Sequence, residues 1–131
     1  SLAVAKIKLG QQEKLQLGNI KAQQDWGYAP DYVRAMWLML QQKKADDYIV
    51  ATGQLHSVED ICQIAFSALG LDWQDYVEYD KSLKGKEEAS NFYGDYSRAQ
   101  KVLGWQPQVS FKQMIEKMVA SDLKLVKKGV L

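Results

Sequence analysis

The stretch DWGYAPDYVRAMWLML, Asp25–Leu40, joins a compact polar turn to the most apolar helical segment of the chain. Pro30 suits a first helical turn, where its missing N–H would have no partner in any case. Beyond it Tyr32, Val33, Met36, Trp37 and Leu40 recur at helical spacing and predict one wide apolar stripe facing a core. Leu38 and Met39 fall outside that stripe, which predicts a helix covered on more than one side. Asp25, Trp26, Gly27 and Tyr28 make a tight polar and aromatic entry to it. A plain core helix has no need of such an entry; a helix presented beside a pocket does. An aromatic-rich stripe at this spacing is most often core, and on residues alone the core reading leads.

The chain has 131 residues, which fits one domain, residues 1–131, with a modest core. Hydrophobic residues make up 47% and charged residues 25%, the balance of a soluble globular protein. A formal net charge of +1 argues against nucleic-acid or membrane-surface binding driven by bulk electrostatics. No apolar run approaches the roughly 20 residues needed to span a bilayer. The opening SLAVAKIKLG places lysines within its apolar stretch, unlike a signal peptide, and starts mid-pattern as if continued from something upstream. One cysteine, Cys62, excludes an internal disulfide and fits a reducing compartment, so a cytoplasmic location is expected.

Working outward, residues 2–9 predict a short helix stopped by Gly10. Lys14–Leu17 alternates as a strand and ends at the turn pair Gly18–Asn19. Tyr48–Ala51 predicts a short buried strand. Ser57 with Asp60 reads as a variant capping box for an amphipathic helix through Leu69, closed by Gly70. Cys62 lies on its apolar face as an inert thiol. His56, the only histidine, stands just before that cap as a turn residue without a metal partner. Tyr76–Tyr79 alternates as a strand, and Asp80–Asn91, DKSLKGKEEASN, reads as a solvated loop. Asp95 caps a helix over Tyr96–Leu103 that ends at Gly104. Ser110 and Gln113 box the start of a last helix with Phe111, Met114, Ile115, Met118, Val119, Leu123 and Val126 on one face. The sum is a helix-dominated α/β (α+β) domain with at least four helices and a few short strands.

The chemistry that is missing narrows function. There is no glycine-rich dinucleotide fingerprint, P-loop, paired-ligand metal motif or nucleophile elbow. No tyrosine is followed four residues on by lysine, so the proton-relay pair of short-chain dehydrogenases is absent. Asp46–Asp47 and Glu87–Glu88 sit in polar stretches and read as solvated acids rather than general acids or bases. No catalytic, cofactor-binding or metal-ligating residue is expected.

Three segments carry a family resemblance: GNIKAQQDWGYAPDYVRAMWLMLQ (18–41), YIVATGQLHSVEDICQIAF (48–66) and YGDYSRAQKVLGWQPQVSFKQMIEKMV (93–119). Together they resemble the C-terminal part of GDP-mannose 4,6-dehydratase, an extended short-chain dehydrogenase/reductase and a lyase. The resemblance implies a substrate domain that closes over a nucleotide-sugar. It also implies that the NADP-binding Rossmann half, with the catalytic Thr/Ser, Glu, Tyr and Lys, belongs to an upstream portion not found in this sequence.

The departures fall on substrate positions. Where the family has arginine before Asp-Trp-Gly, this chain has Gln24. Against the family's Arg-Pro-x-Glu motif stands GKEEASN, which puts Gly85 at the arginine and Glu88 at the glutamate. Neither glutamine nor glycine supplies the bidentate charge with which arginine grips a diphosphate. Lys84 or Lys86 could compensate only as point charges. The resulting expectation is an excised or engineered substrate domain without catalysis of its own. It would bind GDP or a GDP-sugar weakly at most, and would need no cofactor. The other expectation is an assembly module that forms a homodimer or pairs with a Rossmann-fold chain. Its interface would be the apolar faces of helices 2–9, 30–40 and 111–126.

Overall fold

A computed structural model describes residues 1–83 and 92–131. In chain order these are α1 (Leu2–Lys8), β1 (Leu15–Leu17), β2 (Gln23–Gln24), α2 (Ala29–Leu40), β3 (His56–Ser57), α3 (Val58–Ser67), β4 (Val77–Tyr79), α4 (Ser97–Leu103) and α5 (Phe111–Lys127), with 3₁₀ turns at Trp73–Asp75 and Lys81–Leu83. The helix-dominated architecture expected from the sequence is the one observed. β1 and β4 pair in parallel, Leu15 against Val77 and Leu17 against Tyr79. A second two-stranded ladder joins β2 and β3.

The chain divides into two compact units. The first comprises Ser1–Ala22, Ser57–Ala89 and Ile115–Leu131. Here Ser57 caps α3: its hydroxyl accepts the Asp60 N–H at 3.0 Å while the Asp60 carboxylate accepts the Ser57 N–H at 2.7 Å. The capping box read from the sequence is therefore present in full. Its core holds Val4, Ala5 and Ile7 of α1 with Cys62, Ala65 and Phe66 of α3 and Ile115, Val119 and Val126 of α5. The apolar side of α1, named above as a candidate interface, has Val4, Ala5 and Ile7 buried. Burial raises the Cys62 thiol pKa above its ordinary value, which keeps it unreactive.

The second unit comprises Gln23–His56 and Ser90–Met114. Its core is Ala35 of α2, Ala99 and Leu103 of α4, and Trp105, with Tyr32, Leu38, Met39, Tyr48, Val50 and Tyr96 packed around them. Gly104 ends α4 in the left-handed conformation at φ +64°, which only glycine adopts without strain. Ser110 and Gln113 form the expected capping box at the start of α5.

Two expectations are overturned in this unit. The inward face of α2 is Asp31, Ala35, Leu38 and Met39, and the stripe assigned to the core is largely exposed: Val33 61%, Met36 59%, Trp37 59% and Leu40 82%. Periodicity locates an apolar face but cannot say which of two faces the rest of the chain covers. The small Ala35 lets α4 and Trp105 approach closely, and that approach chose the face. The predicted strand Tyr48–Ala51 is also not a strand. Tyr48 and Val50 do pack on the core, but no backbone hydrogen bond pairs this segment with another among the described residues.

Candidate functional site

The second unit gathers its polar groups around two aspartates at either end of the Asp25–Asp31 turn. The Asp25 carboxylate accepts four hydrogen bonds from three residues in two separate parts of the chain. Oδ1 takes the Thr52 N–H at 2.9 Å and the Thr52 hydroxyl; Oδ2 takes the Gly53 N–H at 2.9 Å and the Gly94 N–H at 3.2 Å. Burial opposes its ionisation, but these donors outweigh that and hold its pKa below 3.8. So strongly held an anion is a poor proton acceptor. Asp25 is a latch rather than a general base.

The latch depends on close backbone approach. A Cβ on Gly94 would overlap the Ala51 methyl and stand 3.0 Å from Ile49 Cγ2, so only glycine lets that segment reach Asp25. A Cβ on Gly27 would overlap the Tyr32 hydroxyl. The Tyr32 phenol packed there has its pKa raised by burial and by the charges of Asp25 and Asp31.

Beside the latch lies a cleft of about 330 Å³ walled by Trp26, Thr52, His56, Tyr96, Gln108 and Phe111. Phe111 stacks with two rings, Trp26 at 6.0 Å and 20° and His56 at 3.8 Å and 3°. The only histidine is thus a stacked wall of the cleft rather than a plain turn residue. Its buried Nε2 has no hydrogen-bond partner among the described residues. The cleft offers amides, hydroxyls and aromatic faces, but no charged side chain. Such a lining can bind and orient a ligand.

Gln24, the first of the expected substrate positions, is exposed on β2 immediately before the latch. Gly85, Glu88, Lys84 and Lys86 lie outside the described residues. Asp46 is not simply solvated: it is ion-paired with Arg98, whose guanidinium also lies 5.9 Å from the Tyr48 ring centroid. Sequence reasoning missed Thr52, Gly53 and Gly94 as partners of Asp25. The available signal was local only, glycines next to polar residues, because the bonds run between positions 27 to 69 residues apart. Among the described residues no three of His, Cys, Asp and Glu gather as a metal site, and no helix is long and apolar enough to cross a membrane.

Comparison with known proteins gives this geometry a family. The model of the GDP-mannose 4,6 dehydratase family matches residues 1–118. GDP-mannose 4,6 dehydratase 2 of Arabidopsis thaliana is 52% identical over 126 residues, covering 96% of this chain and 34% of that protein. The GDP-mannose 4,6 dehydratase of Homo sapiens is 36% identical over 144 residues, covering 97% of this chain and 39% of that protein. The structure of RMD from Pseudomonas aeruginosa complexed with NADPH superposes with a TM-score of 0.83 at 20% identity, covering 94% of this chain and 40% of that one. At that identity the likeness shows the fold. This chain spans about a third to two fifths of the length of the relatives it matches.

Proposed function

Because the chain belongs to the GDP-mannose 4,6 dehydratase family, we propose that these residues serve as the substrate domain of such an enzyme, the part that holds its nucleotide-sugar. The observation that carries this is the coverage: nearly all of this chain matches about a third of each curated relative. The parent reaction is the NADP-dependent dehydration of GDP-mannose to its 4-keto-6-deoxy product. This chain's share in it is to hold the nucleotide-sugar. That grip is weakened, because Gln24 and Gly85 stand where the family's pattern has arginines. Its single thiol suits the reducing cytoplasm.

The described residues do not fit NADP. A dinucleotide sits at the carboxyl end of a parallel strand, against a glycine turn open to the pyrophosphate. The glycine that follows parallel strand β1 is Gly18, and its open side is filled by the main-chain carbonyl of Leu83. Titration calorimetry with NADP and a turnover assay with GDP-mannose test the reading. It requires no NADP binding in the micromolar range and no product; micromolar NADP affinity overturns it.

A second reading is favoured by the exposed stripe Val33, Met36, Trp37 and Leu40. On this reading the chain is an assembly module that pairs with itself or with a separate Rossmann-fold chain. A contiguous exposed apolar face of this kind marks an interaction surface.

A further inference from the structure

The cleft beside the Asp25 latch lies wholly within the second unit, and separate segments of chain build it. Its aromatic walls, Trp26, His56 and Phe111, are half-buried, and Phe111 stacks with both of the others. Its rim is polar and exposed: Gln54 from one segment, and Gln106 and Gln108 from the connector that leads into α5. The main chain of this rim is already committed. The Gln54 N–H donates to the Thr52 hydroxyl at 3.3 Å, and the Gln108 N–H donates to the Asp31 carboxylate at 2.9 Å. The side-chain amides of Gln54 and Gln108 are in no hydrogen bond among the described residues. The Gln106 Oε1 accepts from the Gln100 amide, which leaves the Gln106 amide N–H groups to donate. The backbone is thus fixed while the amides it carries are unspent, so a ligand orders only side chains.

What the cleft takes follows from the groups it offers. No charged side chain lines it, so a phosphate or carboxylate held there would lose water without gaining a counter-ion. An apolar ligand would cover the amides without pairing them. A flat base inserted between two rings needs about 7 Å, two contact distances. Phe111 already lies 3.8 Å from His56 and 6.0 Å from Trp26, so neither gap admits one. A puckered ring with an apolar C–H face and hydroxyls around its edge meets both kinds of wall. The volume of about 330 Å³ is at the small end for ligand sites, which fits one such ring. We propose that this cleft binds a neutral hexopyranose, free or as the end unit of a glycan. Its C–H face lies on the aromatic wall at Trp26, and Gln54 and Gln108 hydrogen-bond its hydroxyls. The site goes beyond the substrate-domain reading and does not rest on it: Gln24 is not among its walls, and it calls for no diphosphate.

The test is an NMR titration of the full chain with D-mannose, D-glucose, mannotriose, mannose 1-phosphate and guanosine. At least one of the two hexoses should shift the Trp26 indole signal and the side-chain amide signals of Gln54 and Gln108. The shifts should saturate with a Kd of about 1–20 mM, the range open to a ligand of a dozen heavy atoms. Mannose 1-phosphate should bind no tighter than mannose. Replacing both exposed glutamines, Gln54→Ala with Gln108→Ala, should weaken binding by about tenfold or more. The melting temperature of that variant should stay that of the parent. Mannotriose binding tighter than mannose assigns the site to a glycan end, and equal binding assigns it to the free sugar. Hexose shifts that stay linear to roughly 100 mM overturn the proposal, because they report no site. Undiminished affinity in the double variant overturns it too, since binding then lies elsewhere. So does a tenfold preference for the sugar phosphate, or saturation of the same signals by guanosine in place of the hexoses.

Discussion

The indole N–H of Trp105 donates to the main-chain carbonyl of Asp31 at 2.7 Å, across 74 residues of chain. Trp105 is fully buried, and Tyr32 and Tyr96 pack against its ring with centroids at 6.1 and 5.8 Å. The same aspartate accepts the N–H groups of Gln108 and Val109 through Oδ2, at 2.9 and 3.0 Å. One buried residue at the start of α2 thus fixes the connector that leads into α5. Asp31→Ala strands two N–H groups and should cost about 2–4 kcal/mol. Trp105→Phe loses the hydrogen bond and some volume, and should cost about 1–3 kcal/mol. Urea unfolding of both variants is the check; losses within about 0.5 kcal/mol would show that the connector is held by something else.

The Asp25 latch gives the second unit an acid limit. Its carboxylate has a native pKa below 3.8, so the stabilisation is complete above the ordinary value and is lost as pH falls through the lowered one. At neutral pH Asp25→Asn should cost roughly 2–4 kcal/mol, because the amide nitrogen cannot accept the donors that Oδ1 or Oδ2 now holds. The variant should also flatten the fall of stability with acid. Thermal unfolding from pH 7 down to pH 3 reads both effects. A variant that loses stability in parallel with the parent below pH 4 would remove Asp25 from the account.

Gly94 should tolerate no side chain. Gly94→Ala drives a methyl into Ala51 and toward Ile49 and lengthens the bond to Asp25, with a cost of about 1–3 kcal/mol. Gly70→Ala is a useful contrast. Nothing lies within 4 Å of its Cβ position, and its cost should be only the strain of φ +68°, about 1 kcal/mol. Equal losses from the two would mean that close approach is not what Gly94 is for.

How far the sequence carried the fold depends on whether a signal is local. The capping boxes at Ser57 and Ser110 and the left-handed stop at Gly104 were legible because each is settled within a few residues. The α2 stripe was misassigned because helical spacing is blind to what lies across from it. Ala35, the least conspicuous residue of that helix, marks the buried side. Tyr48–Ala51 had strand composition but pairs with no other segment among the described residues, and propensity cannot supply a partner. Gln24 was singled out only through family resemblance, and the structure leaves it exposed on β2 beside Asp25. The Asp25 latch was not legible at all, since Thr52 and Gly94 are brought to it by tertiary folding.

The central proposal is a substrate domain whose grip on the diphosphate is weakened. NMR shift titration with GDP at several ionic strengths, on the parent chain and on a Gln24→Arg, Gly85→Arg double variant, tests it most directly. The parent should bind no better than about millimolar, a ceiling of roughly −4 kcal/mol. Each charge-assisted arginine–phosphate contact adds about 1.5–3 kcal/mol before the cost of ordering the chain around it. The double variant should therefore gain roughly tenfold to several hundredfold, and the gain should shrink with salt. Tight GDP binding by the parent, or no gain in the double variant, would contradict the account.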